Sequence, residues 1–262
     1  MRLRGAVVVV TGASSGFGEL AARRFARAGS TVVLAARRLE RLQSLASEIE
    51  GAGGSALAVA CDVMDLEQIH ALRDAVAGRL GRCEVLVNNA GIPGGGRFEE
   101  LSDRQIDRVI GVNVLGVMRC TKAFLPMMLA AGRGHIVNVG SLAGRFAAPG
   151  ASVYSASKHA VVAFGEALYY ELAPKGILVT TVNPGFARTE GFPMTGMPSA
   201  LVMDADRVAR VIVDVVRRDH GPEVDVPRGA GVLEAFRILT PPLYRWGVRA
   251  ATRRTRSTPA ND

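Results

Sequence analysis

Short continuous apolar runs alternate along the chain with longer stretches whose apolar residues recur every three to four positions. Residues 7–10, 31–36, 56–60, 85–87, 135–139 and 177–182 read as strands, and residues 223–227 as a last edge strand. Residues 18–28, a stretch ending near 50, and residues 66–80, 103–130, 152–172 and 204–218 carry the helical period. Strands apolar on both faces, each followed by a helix, predict a mainly parallel seven-stranded sheet with helices on both sides. The predicted class is therefore α/β, doubly wound. No internal repeat or interdomain linker interrupts the rhythm. Residues 1–227 read as one domain that carries all the sites, and residues 228–262 as a basic, partly helical extension.

Composition adds little to the body and much to the tail. The chain has 262 residues and a formal net charge of +8. Between Arg228 and Arg256 stand seven arginines against one acid, Glu234, so the body is near neutral. Aromatic and basic residues do not interleave in the body, which argues against a nucleic-acid partner. The cysteines (Cys61, Cys83, Cys120) form no CxxC pair, and the histidines lack metal-ligand spacing. No metal is expected. The apolar start is too short for a signal peptide or a span, so a cytoplasmic protein is expected.

The turn after the first strand reads Thr11-Gly12-Ala13-Ser14-Ser15-Gly16-Phe17-Gly18. Glycines there let the backbone approach a pyrophosphate, and the following helix offers free N–H groups and a favourable dipole. This is the dinucleotide turn of a Rossmann fold, though a tight βα turn without ligand has the same pattern. Arg37 and Arg38 follow the second strand, where an adenosine ribose would lie. Guanidinium groups there suit a 2′-phosphate, with Ser14 and Ser15 as added donors, so NADP(H) is preferred and NAD(H) is the alternative. Asp62, before Val63, suits either an adenine amino group or the N-cap of the next helix.

Tyr154 and Lys158 lie four apart in a helical stretch and share a face. A nearby ammonium lowers a phenol's pKa toward the range useful for acid–base catalysis. Ser141, just past the fifth strand, would emerge at the sheet's carboxyl edge and could polarise a substrate carbonyl. Asn113 is a weak helix former inside a helical stretch, explained by a functional role or by a satisfied core amide.

Taken in order, Thr11 to Gly18, Asn88-Asn89-Ala90-Gly91, Asn113, Ser141, Tyr154-x-x-x-Lys158 and Asn183-Pro184-Gly185 with Thr189 resemble the short-chain dehydrogenase/reductase family pattern. The resemblance runs from about Gly5 to Thr189. It implies an oxidoreductase that moves a hydride between nicotinamide and a carbonyl or secondary alcohol, with Tyr154 as general acid–base. It also implies that Asn89, Ala90 and Gly91 border the cofactor and that Lys158 binds the nicotinamide ribose. Asn113 would hold a relay water, and Pro184, Gly185 and Thr189 would embrace the nicotinamide. Family members are commonly homodimers or homotetramers.

The stretch after Thr189 reads as a substrate loop made apolar by Phe192, Met194, Met197, Leu201 and Met203, with Phe186 just before it. Phe146 and Val153 are further candidate pocket residues, and an apolar carbonyl substrate is expected. In the tail, Leu243, Trp246 and Ala250 recur at helical spacing, with Arg245, Arg249 and Arg253 on another face. Such a helix packs on protein or lies on an anionic membrane surface. The tail resembles that of bacterial DltE-type family members. The rival to a reductase is an NADP(H)-binding regulatory or membrane-associated protein without turnover.

Overall fold

The apolar runs become strands because each buries alternate side chains in a different core. Val8 and Val10 of β1 (Val7–Thr11) enter one core, while Val7 and Val9 enter the other. The computed structural model describes residues 1–193 and 198–247. In chain order β1 is followed by α1 (Gly16–Arg27), β2 (Thr31–Ala36), α2 (Leu39–Gly51), β3 (Ser55–Ala60), α3 (Leu66–Leu80) and β4 (Val85–Asn88). Then come α4 (Asp103–Ile110), α5 (Gly116–Ala131), β5 (Gly134–Val139), α6 (Ser152–Leu172), β6 (Ile177–Pro184), α7 (Ala205–Arg217), β7 (Glu223–Val226) and α8 (Ala230–Leu239). Residues 241–247 are also helical.

The seven strands form one sheet in the order β3-β2-β1-β4-β5-β6-β7, and every pairing is parallel. Phe25 of α1, Leu42 of α2 and Ile212 of α7 cover one face. Ile69 of α3, Phe124 and Met128 of α5 and Leu172 of α6 cover the other. The sheet is therefore doubly wound, and all strand carboxyl ends share one rim. The order reverses between β1 and β4, where a crevice opens in such folds.

One predicted element divides. The sequence predicts a continuous helix over 103–130, but residues Gly111–Leu115 form a π-helical turn between α4 and α5. There the Gly116 N–H reaches back to the Gly111 carbonyl. Asn113 sits inside this turn, and π-turns within helices are frequent at functional sites. The stretch Asp103–Ala131 is long and apolar enough to cross a membrane, yet Phe124 and Met128 are fully buried against the sheet. Of the basic tail helix expected from Leu243 onward, Ala250, Arg249 and Arg253 lie outside the described residues.

Candidate active site

At the crevice, Thr11 ends β1 and ties it to β4. Its hydroxyl donates to the Val87 carbonyl (3.2 Å) and accepts from the N–H groups of Asn89 (3.0 Å) and Ala90 (3.1 Å). The Asn89 amide donates to the carbonyls of Thr11 (2.9 Å) and Gly12 (3.1 Å), so it holds the glycine turn in shape. Gly12 has φ +66°, and a Cβ on Gly18 would stand 2.4 Å from both Asn89 Nδ2 and the Gly12 oxygen. Only glycine fits there. Ser15 leads into α1 without capping it by its side chain, so the first N–H groups of α1 lack a side-chain acceptor. Beneath, Asn88 donates to Thr121 and Asn138, both at 2.9 Å, which links β4 to α5 and β5.

A cleft of about 730 Å³ opens over this rim. Gly12, Ser14, Ser15, Gly16, Phe17, Arg37, Arg38, Asp62, Val63, Asn89, Ala90 and Gly91 line one end. Ser141, Tyr154, Lys158, Pro184, Gly185 and Thr189 line the rest. Gly18 and Asn113 stand behind it as supports. Arg38 donates to Ser14 (3.0 Å) and Ser15 (3.0 Å), while Arg37 is exposed at the mouth. Asp62 is not the cap of α3: its carboxylate accepts from Met64 N–H (3.0 Å), and Asp65 caps the helix through Glu67 and Gln68. Cys61 also lines the cleft, but burial pushes its thiol up to about 11, which leaves it unreactive at neutral pH.

The chemistry-bearing groups converge at the other end. Lys158 is buried, with Nζ 5.9 Å from the centre of the Tyr154 ring. Its ammonium donates to the Val139 carbonyl at 2.8 Å, and burial lowers its pKa to about 8. Burial raises the Tyr154 phenol above its ordinary value, and the Ser141 hydroxyl acts the other way. The sequence predicts an ammonium-lowered phenol. In the unliganded fold burial is the largest cause and the phenol is raised instead, while the Lys158 ammonium donates to the Val139 carbonyl. Ser141 also accepts from Ala143 N–H (3.1 Å), so it is a turn residue as well as a cleft residue. Asn113 is fully buried: it accepts from Ile92 N–H (2.9 Å) and donates to the Ile92 carbonyl (3.0 Å) and to Ser157 Oγ (3.1 Å).

The sequence matches the family model for short chain dehydrogenase over residues 6–195. The chain belongs to the short-chain dehydrogenase family. It is an oxidoreductase of the kind that acts on CH–OH groups. The 3-oxoacyl-acyl-carrier-protein reductase FabG of Thermotoga maritima is 39% identical over 195 residues, covering 74% of this chain and 78% of that protein. A solved actinorhodin polyketide ketoreductase variant with NADPH has a TM-score of 0.78 at 36% identity, covering 85% of this chain and 95% of that one. A Burkholderia phymatum family member solved with NAD has a TM-score of 0.84 at 29% identity, covering 93% and 96%.

This short-chain dehydrogenase has features that sequence reading missed. Glu190 pairs with Arg38 and with Arg41 across the cleft mouth. Its carboxyl is held below the usual range by those two guanidinium groups. Of the residues the sequence did mark for the substrate side, Phe146, Phe186 and Phe192 line the cleft, with Phe192 5.7 Å from the Tyr154 ring centre. Ile92 and Leu142 add apolar surface that no motif marks. Val153 does not face this cleft. It lines a smaller neighbouring cavity of about 260 Å³ with Leu101 and Val109, because the turn of α6 that aims Tyr154 into the cleft carries Val153 away from it. Met194 and Met197 lie outside the described residues.

Proposed function

We propose that this chain is an NADP(H)-dependent carbonyl reductase acting on an apolar ketone, aldehyde or 3-oxoacyl substrate. The observation that carries the reading is the meeting of Tyr154, Ser141 and buried Lys158 in one cleft with the glycine turn. A cradle that any Cβ would fill, an uncapped helix start and the Arg38–Ser14–Ser15 donor set suit a phosphorylated dinucleotide. Gly12, Ser14, Ser15, Gly16, Phe17 and Gly18 would hold the pyrophosphate side, Arg37 and Arg38 the 2′-phosphate, and Asp62 and Val63 the adenine. Asn89, Ala90, Gly91, Pro184, Gly185 and Thr189 would hold the nicotinamide side. The relatives named for 3-oxoacyl and polyketide reduction support the substrate class, as does the apolar lining.

A nicotinamide held by Asn89, Ala90, Gly91, Pro184, Gly185 and Thr189 would supply or accept the hydride. Tyr154 gives its phenolic proton to the substrate oxygen, and the Ser141 hydroxyl holds that oxygen by donating a hydrogen bond. Lys158, with a pKa of about 8, can exchange a proton near neutral pH and stabilises the phenolate left behind. Asn113 fixes the Ile92 backbone and Ser157 behind Lys158. Oxidation runs these steps in reverse. We assign catalysis to residues 1–227, with residues 228–262 as an extension, and place the enzyme in the cytoplasm as a homodimer or homotetramer.

The test is loss of reduced-nicotinamide absorbance with purified protein, NADPH or NADH, and a panel of 3-oxoacyl thioesters and apolar ketones. Turnover with NADPH above that with NADH is expected. Tyr154→Phe should lower turnover about 10²- to 10⁴-fold while NADPH still binds. Full turnover in that variant rejects the mechanism, and NADPH binding with no turnover on any substrate favours the regulatory reading.

A further inference from the structure

The helix after the sheet holds its one acid inward and leaves large apolar side chains exposed. Glu234 of α8 faces the domain, where Arg145 donates to it at 3.2 Å and also pairs with Glu223 of β7. Val232, Phe236 and Leu239 lie on the opposite side of α8, at helical spacings of four and three, and all three are exposed. Val232 and Leu239 keep 77% and 78% of their surface open. Past the break at Thr240, Leu243 and Trp246 of the helical residues 241–247 are exposed as well, Trp246 by 71%. Ordinary surface helices put their apolar stripe inward and their charges outward. This segment instead leaves Val232, Phe236, Ile238, Leu239, Leu243 and Trp246 exposed, and an apolar patch of this kind marks a docking surface.

We propose that residues 232–246 form a face that docks on anionic lipid bilayers. Charge selects the occupant. From Arg228 to Arg256 the sequence has seven arginines and one acid, and that acid, Glu234, is already paired with Arg145. A second copy docked through the same face would bring two arginine-rich segments together with no acid to offset them. Residues 248–262 are a poor cover, with Val248 their one large apolar residue. A bilayer rich in phosphatidylglycerol answers both features, taking the apolar side chains among its acyl chains and the guanidinium groups at its phosphates. Tryptophan is also a residue favoured at the bilayer interface.

The face stands beside the cleft. Gly185 N–H donates to the Val226 carbonyl at 2.7 Å, and α8 starts four residues later. Phe186 and Leu201, both exposed, lie in the loop that follows Gly185. Docking would therefore hold the cleft's rim close to the lipid, where an apolar carbonyl compound concentrates.

Trp246 is the chain's only tryptophan, so it reports on its own contact. The full-length protein is mixed with vesicles of phosphatidylcholine alone or with phosphatidylglycerol. The expected result is co-sedimentation and a blue-shifted Trp246 emission with the anionic vesicles only, both weakened by high salt. Phe236→Asp/Leu239→Asp should lower vesicle partitioning roughly tenfold or more. Because both side chains are exposed, the variant should melt within a few degrees of the parent and bind NADPH equally. No binding to anionic vesicles, or equal binding of both forms, overturns the proposal. So does a double variant that changes only the oligomeric state, which would assign the face to self-association. These readouts need no turnover, so they stand or fall apart from the reductase reading.

Discussion

Glu190 and Arg38 lie 152 positions apart in the chain and form an ion pair across the mouth of the cleft. The pair joins the loop after β6 to the first residues after β2, with Arg41 as a second anchor. Under the proposed NADP(H) reading, a carboxylate there would compete with a cofactor 2′-phosphate for the same guanidinium group. The pair is half exposed, so its influence is modest. Glu190→Gln is expected to tighten NADPH binding roughly threefold and leave NADH unchanged, as read by titration at low salt. Weaker binding of both cofactors would instead make Glu190 an organiser of the loop.

Lys158 makes stability depend on alkaline pH. Its pKa is about 8 in the fold against 10.5 for an ordinary lysine. Below pH 8 the fold must hold a buried charge, at a cost on the order of 3 kcal/mol. As pH rises from 8 to 10.5 the unfolded chain keeps its proton longer than the folded one, so the cost declines and then vanishes. Lys158→Met should therefore abolish turnover yet raise the urea midpoint at pH 7, less the lost bond to Val139. The advantage should shrink by pH 9.5. An advantage that grows with pH would contradict the assignment.

Asn113 answers for two backbone groups at once. Asn113→Ala removes the partners of both the Ile92 N–H and its carbonyl. An unpaired buried group costs about 1–3 kcal/mol, so a loss of about 2–4 kcal/mol is expected from urea unfolding. A loss below about 0.5 kcal/mol would mean that water replaces the amide without penalty.

Gly18→Ala tests the glycine turn. Its Cβ would stand 2.4 Å from Asn89 Nδ2 and from the Gly12 oxygen, so the turn must open. A loss of about 1–3 kcal/mol is expected, with NADPH binding weakened more than tenfold or so. Gly78→Ala in α3 is the control. Nothing lies within 4 Å of its Cβ, and a gain of up to about 1 kcal/mol is expected.

What the sequence revealed was local. The strands were legible because their apolar runs are continuous, and Tyr154 and Lys158 because a spacing of four fixes a shared helix face. The glycine turn was legible by its place after the first strand. The π-turn at Asn113 was not, and the Ile92 backbone that Asn113 holds there is 21 residues away in sequence. The sequence leaves the cap of α3 open, with the cap as one of two readings of Asp62, since Asp62 and Asp65 are chemically equal until the helix start is fixed. The Glu190 ion pairs and the seating of α8 through Glu234 on Arg145 depend on partners far along the chain, which no local pattern encodes.

Because all seven strands run the same way, every residue named in the cleft comes from one rim of the sheet. The opposite rim, where residues 51–53, 81–82 and 131–133 turn the chain in solvent, contributes nothing to the chemistry. Loop closure there grows only slowly in cost with added length. A fluorophore, affinity handle or surface tether inserted on that side would leave both the cleft and the C-terminal face free to work.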